Sequence, residues 1–558
     1  MKDLLSRAFR KQRITTVVND AAIAHSQGKG LKKVLGVRDL VSFGISSTLG
    51  SGIFVTVGSI SALAGPGLFL SFLIAAFGSL LSACCYAEFA SRLPVSGQSY
   101  TYTYVALGEV VAFTTGWLGF VAYSVATAAV ARGWATYFDS LVALVTGSHL
   151  PAFLVNDPVS GFGDIFSFSA LAAFLNIFCV VLACVGIQES TRLSFILVVV
   201  NFVLMTAFCM YGATMYAEAG NLEPLLPFGL AGVVKGSGLA FFCCIGWELV
   251  CTLAEEVKHP SRDLPRGIVG SLSAVTVLYC AVCLTLSAMV PFELISVGAP
   301  IADAFSQHGD RIGALLVSVT VVIVCIPSTL TGIVGTPRIV YKMAQDGLVY
   351  RWLGSVNSHG APVTATIVSG TISALMGGVL HFDSLASSCS AVTLFMFAIV
   401  CVGVVIVRVS EHESPTHPHA IQRLTFALIM FSVISLAVSM CVVDPDLVSS
   451  LALYVLAGAN IVCGGVVLYI YEWALDYAPL AQPLLTDEIT VTSVPKRAKK
   501  DIYLCPLVPI VPLIATWVDI FMMASLGYTA LTGVLIMLLS GMAIYFSYGI
   551  NHSKLDLM

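Results

Sequence analysis

The chain has 558 residues, of which 58% are hydrophobic and only 10% are charged. Soluble proteins carry about 25% charged residues, and a soluble chain of this length would form several domains whose surfaces so little charge could not cover. Composition therefore excludes a soluble enzyme, a nucleic-acid-binding protein and a disordered scaffold, and it predicts a protein that crosses a membrane many times.

The N-terminal segment, residues 1–38, carries scattered Lys and Arg but lacks the apolar core of a signal peptide, so we expect it to be retained in the cytosol. From residue 39 onward, apolar stretches of about 20 residues recur, which is the length that a helix needs to cross the hydrocarbon core. The stretches are continuous rather than alternating, which favours helices over barrel strands. About fourteen transmembrane helices are predicted, at 39–64, 67–91, 105–143, 168–186, 193–217, 229–256, 267–291, 312–345, 363–382, 385–407, 421–442, 449–474, 503–523 and 526–549.

The first predicted helix contains an interruption rich in Gly and Ser. Gly44, Gly50 and Gly52 each weaken a helix by roughly 1 kcal/mol, and the Ser and Thr hydroxyls between them can satisfy backbone groups that a break exposes. A second half-helix would start near Ile53. Its free N–H groups and positive dipole end would make a site for a carboxylate at mid-membrane depth.

The sixth predicted helix contains Gly246 and, two residues later, Glu248; Glu255 lies near its end. A carboxylate within the membrane is energetically costly and therefore indicates a function. A break near Gly246 would leave backbone carbonyl groups able to accept hydrogen bonds from a substrate ammonium, namely those of Phe242, Cys243 and Cys244.

The two interrupted helices are five apart, as two inverted repeats of five helices require, and this pattern is typical of a transporter binding site. The alternative is that the glycines merely permit close helix packing. We divide the chain into the repeats 39–217 and 229–407, helices 11 and 12 at 421–474, and the last two helices at 503–550. A polar cytosolic linker at 475–502 and a short cytosolic tail at 551–558 complete the chain.

The basic residues predict the orientation. Of the 27 Lys and Arg residues, 24 are predicted to lie on the same side of the membrane. The exceptions are Lys235 and Arg311, placed on the other side, and Arg132, placed within a helix. Cytosolic loops carry the excess of Lys and Arg, so both termini are predicted to be cytosolic. Residues 477–480, Tyr-Ala-Pro-Leu, could also form a sorting signal, although such short patterns are common by chance.

Several segments resemble the amino acid–polyamine–organocation superfamily and, more narrowly, its cationic amino acid transporter family. The superfamily resemblance rests on residues 44–58 and 87–102. The narrower resemblance rests on residues 130–134, 255–260, 337–348, 505–512 and 545–549. The similarity extends from about residue 36 to residue 552, and it implies an all-α, LeuT-type fold with a 5+5 inverted repeat and four additional C-terminal helices.

The resemblance also implies roles for individual residues. The substrate α-carboxylate would bind at Ser46, Ser47, Thr48, Leu49, Gly50, Ser51 and Gly52. The substrate amino group would bind at Phe242, Cys243, Cys244 and Gly246. Trp247 would act as an aromatic gate. The residues that select the substrate side chain would be Tyr123, Glu248, Glu255, Ser328, Thr329 and Thr331.

Two positions depart from the family pattern. Asn201 occupies a position that is Lys in proton-coupled relatives, and because Asn cannot titrate, this favours transport without ion coupling. Ala122 stands where some relatives carry Glu, which removes one acidic partner for a cationic substrate. Two charged residues are open to alternative interpretations: Glu255 could act at a gate or pair with a nearby cation, and Arg132 is interpreted as structural.

The function predicted is transport of cationic amino acids (arginine, lysine and ornithine) by alternating access, as a uniporter or facilitated exchanger without ion coupling. The first alternative is proton-coupled or exchange transport of neutral amino acids, and an alternative from another class is an amino-acid sensor. No catalytic set, cofactor, metal site, nucleic-acid partner or obligate partner chain is indicated. We expect membrane lipids around the chain, with the plasma membrane favoured over a vacuolar or lysosomal membrane.

Overall fold

The structure, a computed structural model, describes residues 7–12, 35–50, 52–95, 97–158, 165–185, 191–355, 362–410, 419–444, 450–476 and 502–554. The first half of this part contains α1 (Val37–Thr48), α2 (Gly52–Ala64), α3 (Leu68–Arg92), α4 (Gln98–Ala106), α5 (Glu109–Thr146), α6 (Ala152–Val155), α7 (Ala170–Val185), α8 (Thr191–Met215) and α9 (Gly229–Ala240). A two-residue hairpin pairs β1 (Asp157–Pro158) with β2 (Ser167–Phe168) in antiparallel register.

The second half contains α10 (Pro260–Met289), α11 (Pro300–Gln307), α12 (Arg311–Gln345), α13 (Val363–Val379), α14 (Phe382–Ser410), α15 (Ala420–Val443), α16 (Ser450–Asp476), α17 (Ile510–Ser525), α18 (Tyr528–Ile544) and α19 (Ile550–His552). Short 3-10 segments lie at Gly65–Gly67, Ala219–Leu222, Phe241–Cys244, Trp247–Glu256, Phe292–Leu294 and Arg351–Gly354, and a π-helical turn lies at Tyr545–Gly549.

The prediction of an all-α polytopic membrane protein is confirmed. Within the part of the chain that the structure describes, nine helical spans are long and apolar enough to cross a membrane, and four shorter apolar helices accompany them. One of the nine, Gly52–Arg92, contains both the second half of the first predicted helix and the whole of the second. Each of the fourteen predicted spans therefore has a helical counterpart.

Some predicted boundaries were wrong. The predicted span 105–143 starts in the last two residues of α4 and continues as α5, because Gly108 has a φ of +104° and turns the chain between the two helices. Helix α10 begins at Pro260, seven residues before the prediction, since proline fits the first turn of a helix, where its missing N–H is not needed. Helix α17 begins only at Ile510, after a segment with prolines at 506 and 509.

Helix α5 is the central element of the bundle. Its 38 residues correspond to about 57 Å at 1.5 Å per residue, so it extends past the hydrocarbon core. It packs against α12, α13 and α14. Arg132, in its middle, donates from Nε to the carbonyl of Gly377 in α13 at 2.6 Å and from a terminal nitrogen to the carbonyl of Ser167 in β2. These contacts favour the structural interpretation of Arg132.

One end of the bundle, which we call the basic end, is the end at which α1 begins and to which Arg10, Arg92, Lys342 and Arg408 belong. Here the buried carboxylate of Glu88 in α3 accepts two hydrogen bonds from Arg408 in α14, at 2.8 and 2.7 Å. It also pairs with Arg92 at 2.8 Å and accepts from the backbone N–H of Cys505 at 2.8 Å. This network joins α3, α14 and the segment that leads into α17.

Both ends of the described chain meet at the basic end. Glu109, the first residue of α5, is fully buried. Its carboxylate accepts hydrogen bonds from Ser553 at 2.6 Å, Tyr545 at 3.0 Å and Tyr104 at 2.8 Å, and it lies 3.5 Å from the guanidinium of Arg10. The described residues nearest the two termini, 7–12 and 545–554, therefore lie at the same end of the bundle. That both termini lie in the cytosol stays a prediction.

Helix α12 begins at the opposite end of the bundle. Asp310 caps it by accepting a hydrogen bond from the backbone N–H of Gly313 at 2.9 Å, and this bond lowers the pKa of the Asp310 carboxyl below its ordinary value. At the same end, the Ser59 hydroxyl of α2 donates to Asp383 of α14 at 2.9 Å. The bond between Ser59 and Asp383 joins α2 to α14 at the end opposite the basic end.

Candidate functional site

The first predicted helix is interrupted where the sequence predicted. Helix α1 ends at Thr48, the chain turns at Leu49 and Gly50, and α2 starts at Gly52. The hydroxyl of Thr48 donates back to the Gly44 carbonyl at 2.8 Å, while the Thr48 carbonyl accepts from Tyr279 of α10 at 3.0 Å. The Tyr279 side chain thus satisfies a carbonyl group that the break removes from the helical ladder.

The sixth predicted helix is interrupted more extensively. After α9 the chain continues as a 3-10 segment to Cys244, is extended at Ile245, and turns at Gly246, whose φ of +117° favours glycine. A second 3-10 segment then runs from Trp247 to Glu256. The break at Gly246 was predicted, but the 3-10 geometry beyond it was not.

The two breaks touch each other. The Ser47 hydroxyl donates to the Gly246 carbonyl at 2.9 Å, and a Cβ atom at Gly246 would lie only 2.3 Å from the Ser47 carbonyl oxygen. Nearby, the hydroxyl of Thr56 lies 3.0 Å from the Cys243 sulfur, and a Cβ at Gly52 would lie 3.1 Å from the same sulfur. Only glycine permits so close an approach of the two backbones at position 246.

A cavity of about 710 Å³, including its opening to solvent, lies between the two breaks, α5 and α12. Ten of the predicted site residues line it: Ser47, Thr48, Gly50, Gly52, Tyr123, Phe242, Cys243, Gly246, Ser328 and Thr331.

The other predicted site residues lie elsewhere. Trp247 is fully buried and packs edge-on against Tyr86, with ring centroids 5.4 Å apart, so it lies behind the cavity wall. Thr329 is buried and donates to the Cys325 carbonyl. The remaining residues that do not line the cavity are Ser46, Leu49, Cys244, Glu248, Glu255 and, in α8, the buried Asn201. Ser51 falls outside the described residues.

Sequence reasoning missed eight lining residues: Ala126, Thr127, Val130, Ile245, Leu249, Gly332, Gly335 and Thr336. In α12 a signal was available, because small or hydroxylated residues recur there at helical spacing from Ser328 to Thr336 and mark one face. In α5, Thr127 and Val130 are one and two turns beyond Tyr123 on the same face. No comparable pattern marks Ile245 or Leu249.

The cavity is polar but uncharged. Among the described residues that line it, seven carry hydroxyl groups and none is Asp, Glu, Lys, Arg or His. The start of α2 presents backbone N–H groups and a positive dipole end at Gly52. The described residues contain no group of three or more His, Cys, Asp or Glu side chains placed to hold a metal ion.

The cavity extends toward the basic end. Gly335 lies seven residues beyond Ser328 in α12, which is about 10 Å along the helix, and Leu249 lies beyond the second break in the same direction. Toward the opposite end, Phe242 packs edge-on against Phe382 with ring centroids 6.0 Å apart, and the Tyr137 hydroxyl donates to the Phe54 carbonyl at 2.7 Å. With the contact between Ser59 and Asp383, these interactions cover the cavity on that side.

The chain is similar to two family models and to known proteins over most of its length. Residues 35–467 match the family model described as amino acid permease, and residues 503–553 match the one described as its C-terminus. The chain is 32% identical over 551 residues to the branched-chain amino acid permease BcaP of Bacillus subtilis (strain 168), covering 98% of this chain and 99% of that protein. It is 30% identical over 577 residues to cationic amino acid transporter 3, mitochondrial, of Arabidopsis thaliana, covering 96% and 94%.

The fold also has a solved counterpart. The crystal structure of MhsT in complex with L-phenylalanine superimposes with a TM-score of 0.51 at 14% identity, covering 80% of this chain and 100% of MhsT. At this identity the likeness shows the fold alone, and it confirms the predicted LeuT-type architecture.

Proposed function

The chain belongs to the amino acid permease family, and we propose that it is a carrier, not an enzyme, that moves amino acids across a membrane by alternating access. The observation that carries this proposal is the cavity between two interrupted helices whose breaks touch at Ser47 and Gly246. In transporters built from inverted repeats, substrates bind between such half-helices.

In the proposed complex, the two breaks bind the two ends of the amino acid backbone. The substrate carboxylate lies at Gly50 and Gly52, where the start of α2 supplies N–H groups and a positive dipole end. The substrate ammonium lies near the carbonyl groups of Phe242 and Cys243. The substrate side chain then points toward the face of α12 that includes Ser328 and Thr331.

The shape of the cavity indicates which state of the proposed transport cycle the structure represents. If the basic end faces the cytosol, as the distribution of Lys and Arg predicts, a cavity that extends toward that end and is covered at the other describes an inward-facing state. In the proposed cycle, the helices that contain the breaks, with α3 and α10, rock against α5, α7, α12 and α13 and open the site to the other side.

For the substrate class we propose cationic amino acids carried without ion coupling. Three observations support this: the similarity to a protein named a cationic amino acid transporter, the room that small residues leave along α12, and the lack of cationic side chains among the described lining residues. Asn201 in α8 supports uncoupled transport because it cannot exchange a proton. A membrane potential attracts each positive charge by about 2.3 kcal/mol per 100 mV, so a uniporter could concentrate arginine.

A second candidate class is neutral amino acids, carried by exchange or proton coupling. Three observations favour it. The described lining residues also include no carboxylate, and Ala122 removes the acidic partner that some relatives carry near this point. In addition, the chain is similar over nearly its whole length to a permease named for branched-chain amino acids.

The deciding experiment is uptake by purified protein in proteoliposomes. Labelled arginine should accumulate when the interior is made negative, by roughly 50-fold at equilibrium per 100 mV, the ratio that corresponds to about 2.3 kcal/mol. Unlabelled lysine and ornithine should compete, whereas alanine, leucine and glutamine should not. Uptake of leucine but not arginine would move the proposal to the neutral class. Binding without uptake of any of them would point to a sensor.

For localisation we propose the plasma membrane, with a vacuolar or lysosomal membrane as the alternative and both termini in the cytosol. Protease or epitope accessibility at each terminus in intact cells, together with imaging of the tagged chain, tests both statements. A terminus that antibodies reach without permeabilising the cells would contradict the orientation.

A further inference from the structure

Glu248 is a buried carboxylate beside the cavity that does not line it. Its side chain is 1% exposed, and it belongs to the 3-10 segment immediately after the second break. One carboxylate oxygen accepts a hydrogen bond from the backbone N–H of Gly246 at 2.8 Å, and the other accepts from the hydroxyl of Tyr123 at 3.0 Å. Both partners are neutral donors, and Tyr123 itself lines the cavity.

A third buried side chain completes the arrangement. Gln98, 2% exposed, donates from its side-chain nitrogen to the backbone carbonyl of Glu248 at 3.0 Å, and its side-chain oxygen lies 3.5 Å from the Tyr123 hydroxyl. Its φ is +45°, a conformation that costs free energy for any residue other than glycine. The surrounding contacts therefore maintain a strained backbone at the point where Gln98 reaches the second break.

We infer that Glu248 is a positioning residue: with Tyr123 and Gln98 it holds the second break in its substrate-binding geometry through hydrogen bonds, and it does not pair with the substrate. The inference rests on the proposed function, since it assigns a role within the same site.

The geometry explains why the carboxylate supports the break. Gly246 has a positive φ, so its N–H points away from the helical ladder and needs a separate acceptor. The carboxylate two residues later supplies that acceptor within the same segment. Its second oxygen is joined to α5 through Tyr123, which links the break to the opposite wall of the cavity. A shift of Glu248 would therefore disturb both the backbone at the Gly246 N–H and the Tyr123 side chain.

The position of Glu248 also argues against an ion pair with a cationic substrate. Glu248 is 1% exposed and does not line the cavity, whereas Tyr123 and Gly246, which bond its two oxygens, do. An ammonium or guanidinium group in the cavity could therefore reach the carboxylate only by displacing the Tyr123 hydroxyl or the Gly246 backbone. Either displacement leaves a buried polar group without its partner, which is costly. The described lining residues instead offer hydroxyl and carbonyl oxygens to the substrate side chain.

The variant Glu248→Gln distinguishes a positioning role of Glu248 from an ion pair between Glu248 and the substrate. The amide oxygen can still accept from the Gly246 N–H, and the amide nitrogen can donate to the Tyr123 oxygen, so the hydrogen bonds persist while the negative charge is lost. Glu248→Ala loses both. Asp519→Asn is a matched control, because Asp519 is another buried carboxylate, in α17, bonded to Ser82 at 2.8 Å and remote from the cavity lining.

The test measures KM and kcat for arginine and leucine, for whichever of them the wild-type protein carries, in proteoliposomes. Glu248→Gln should keep each KM within about threefold of wild type, whereas Glu248→Ala should raise it roughly tenfold, the order expected for loss of a buried hydrogen-bond partner. Tyr123→Phe should lie between them, and Asp519→Asn should match wild type. If Glu248→Gln raised the KM for arginine tenfold and left leucine unchanged, the carboxylate would pair with the substrate and the inference would be overturned.

Hydrogen exchange of the peptide that spans residues 241–250 gives a second measurement, which does not depend on transport. Exchange should quicken in Glu248→Ala and Tyr123→Phe and stay at the wild-type rate in Glu248→Gln. If Glu248→Ala does not fold, Tyr123→Phe provides the same comparison. If the exchange rate were unchanged in both Glu248→Ala and Tyr123→Phe, the positioning role would be refuted, even if transport were normal. If the variants showed the expected exchange rates but the wild-type protein carried no amino acid, only the proposed function would be refuted.

Discussion

Ser47 donates its hydroxyl hydrogen to the carbonyl oxygen of Gly246 at 2.9 Å, although the two residues are 199 positions apart in the chain. The bond joins the interruption between α1 and α2 to the interruption after α9. It means that the two halves of the proposed site are not independent, since a displacement of one break changes the position of the other. The same contact leaves no space for a side chain at Gly246.

The first prediction concerns that close approach. Gly246→Ala should lower kcat/KM for the transported amino acid by at least roughly tenfold, because the new Cβ would lie 2.3 Å from the Ser47 carbonyl oxygen and the residue would keep a φ of +117° only with strain. Uptake and thermal unfolding are measured together. Gly465→Ala, in α16 with open space around its Cβ position, is the control and should leave both unchanged. Normal transport by Gly246→Ala would show that the close approach is dispensable.

A second prediction tests the α12 face as the side-chain compartment. A Cβ atom at Gly335 would meet no atom within 4 Å, so Gly335→Phe should fold while its ring fills part of the cavity. We expect uptake of arginine to fall at least tenfold while uptake of a small substrate such as alanine, if the wild type carries it, falls less, since pocket size alone discriminates by roughly 10- to 200-fold.

The control for that experiment is Gly465→Phe, which adds the same ring at an open position remote from the cavity. Equal losses for long and short substrates would mean that Gly335→Phe blocks the movement of the helices rather than the side-chain compartment.

Hydrophobicity was sufficient to predict the helices and the composition of the two breaks was sufficient to locate them. Apolar runs of about 20 residues have few alternatives to a membrane helix. Glycine weakens a helix wherever it occurs, and it occurs at the breaks as Gly50, Gly52 and Gly246. The paths of α4 and α17 were missed because their limits depend on single turns, at Gly108 and at the prolines before Ile510, which a hydropathy pattern does not register.

The inventory of site residues was only partly predictable, because which face of a helix meets a cavity depends on packing. Ser328 and Thr331 line the cavity, but Thr329, between them, turns its hydroxyl to the Cys325 carbonyl. Trp247, the predicted gate, packs against Tyr86 and does not line the cavity, and its role as a gate stays a prediction. A run of residues near a break identifies the region, and only the rotation of each helix selects the individual side chains.

The third prediction concerns the contact that covers the cavity at the opposite end. Ser59→Ala removes the hydrogen bond to Asp383 and should weaken the covered state by about 1 kcal/mol, since Asp383 is partly exposed and water can replace the hydroxyl. The fraction of molecules open at that end should rise about fivefold if they are a minority, and the apparent affinity for substrate added there should rise in proportion.

The measurement is substrate affinity from each side of oriented proteoliposomes. Ser432→Ala is the control, since Ser432 bonds only within its own helix α15, to Leu428, in the part of the chain that the structure describes. If Ser59→Ala altered the affinity equally from both sides, the contact would not act as a closure of one end.

The last prediction concerns Glu109, which lies where the N-terminal and C-terminal segments meet. Glu109→Ala leaves Tyr104, Tyr545 and Ser553 without their shared acceptor and removes the carboxylate beside Arg10, so hydrogen exchange should quicken in residues 7–12 and in 545–554 together. Ser553→Ala removes only one donor and should quicken exchange only near residue 553. Ser547→Ala, whose exposed hydroxyl bonds to the Ile544 carbonyl, should change neither segment.

The three variants together show whether the Glu109 carboxylate holds both the N-terminal and the C-terminal segment or whether each segment is held by separate contacts. If one buried carboxylate holds both termini, its loss must affect both segments, whereas loss of one donor affects only the segment that carries it. The C-terminal segment also reaches α12, because the N–H of Lys554 donates to the carbonyl of Asp346 at 3.0 Å. Loosening that segment should therefore quicken exchange at the end of the helix that forms the cavity wall. Exchange that changes in the C-terminal segment alone would mean that the N-terminal residues are held without the Glu109 carboxylate, through the bond from the Glu109 backbone N–H to the Arg10 carbonyl at 2.9 Å.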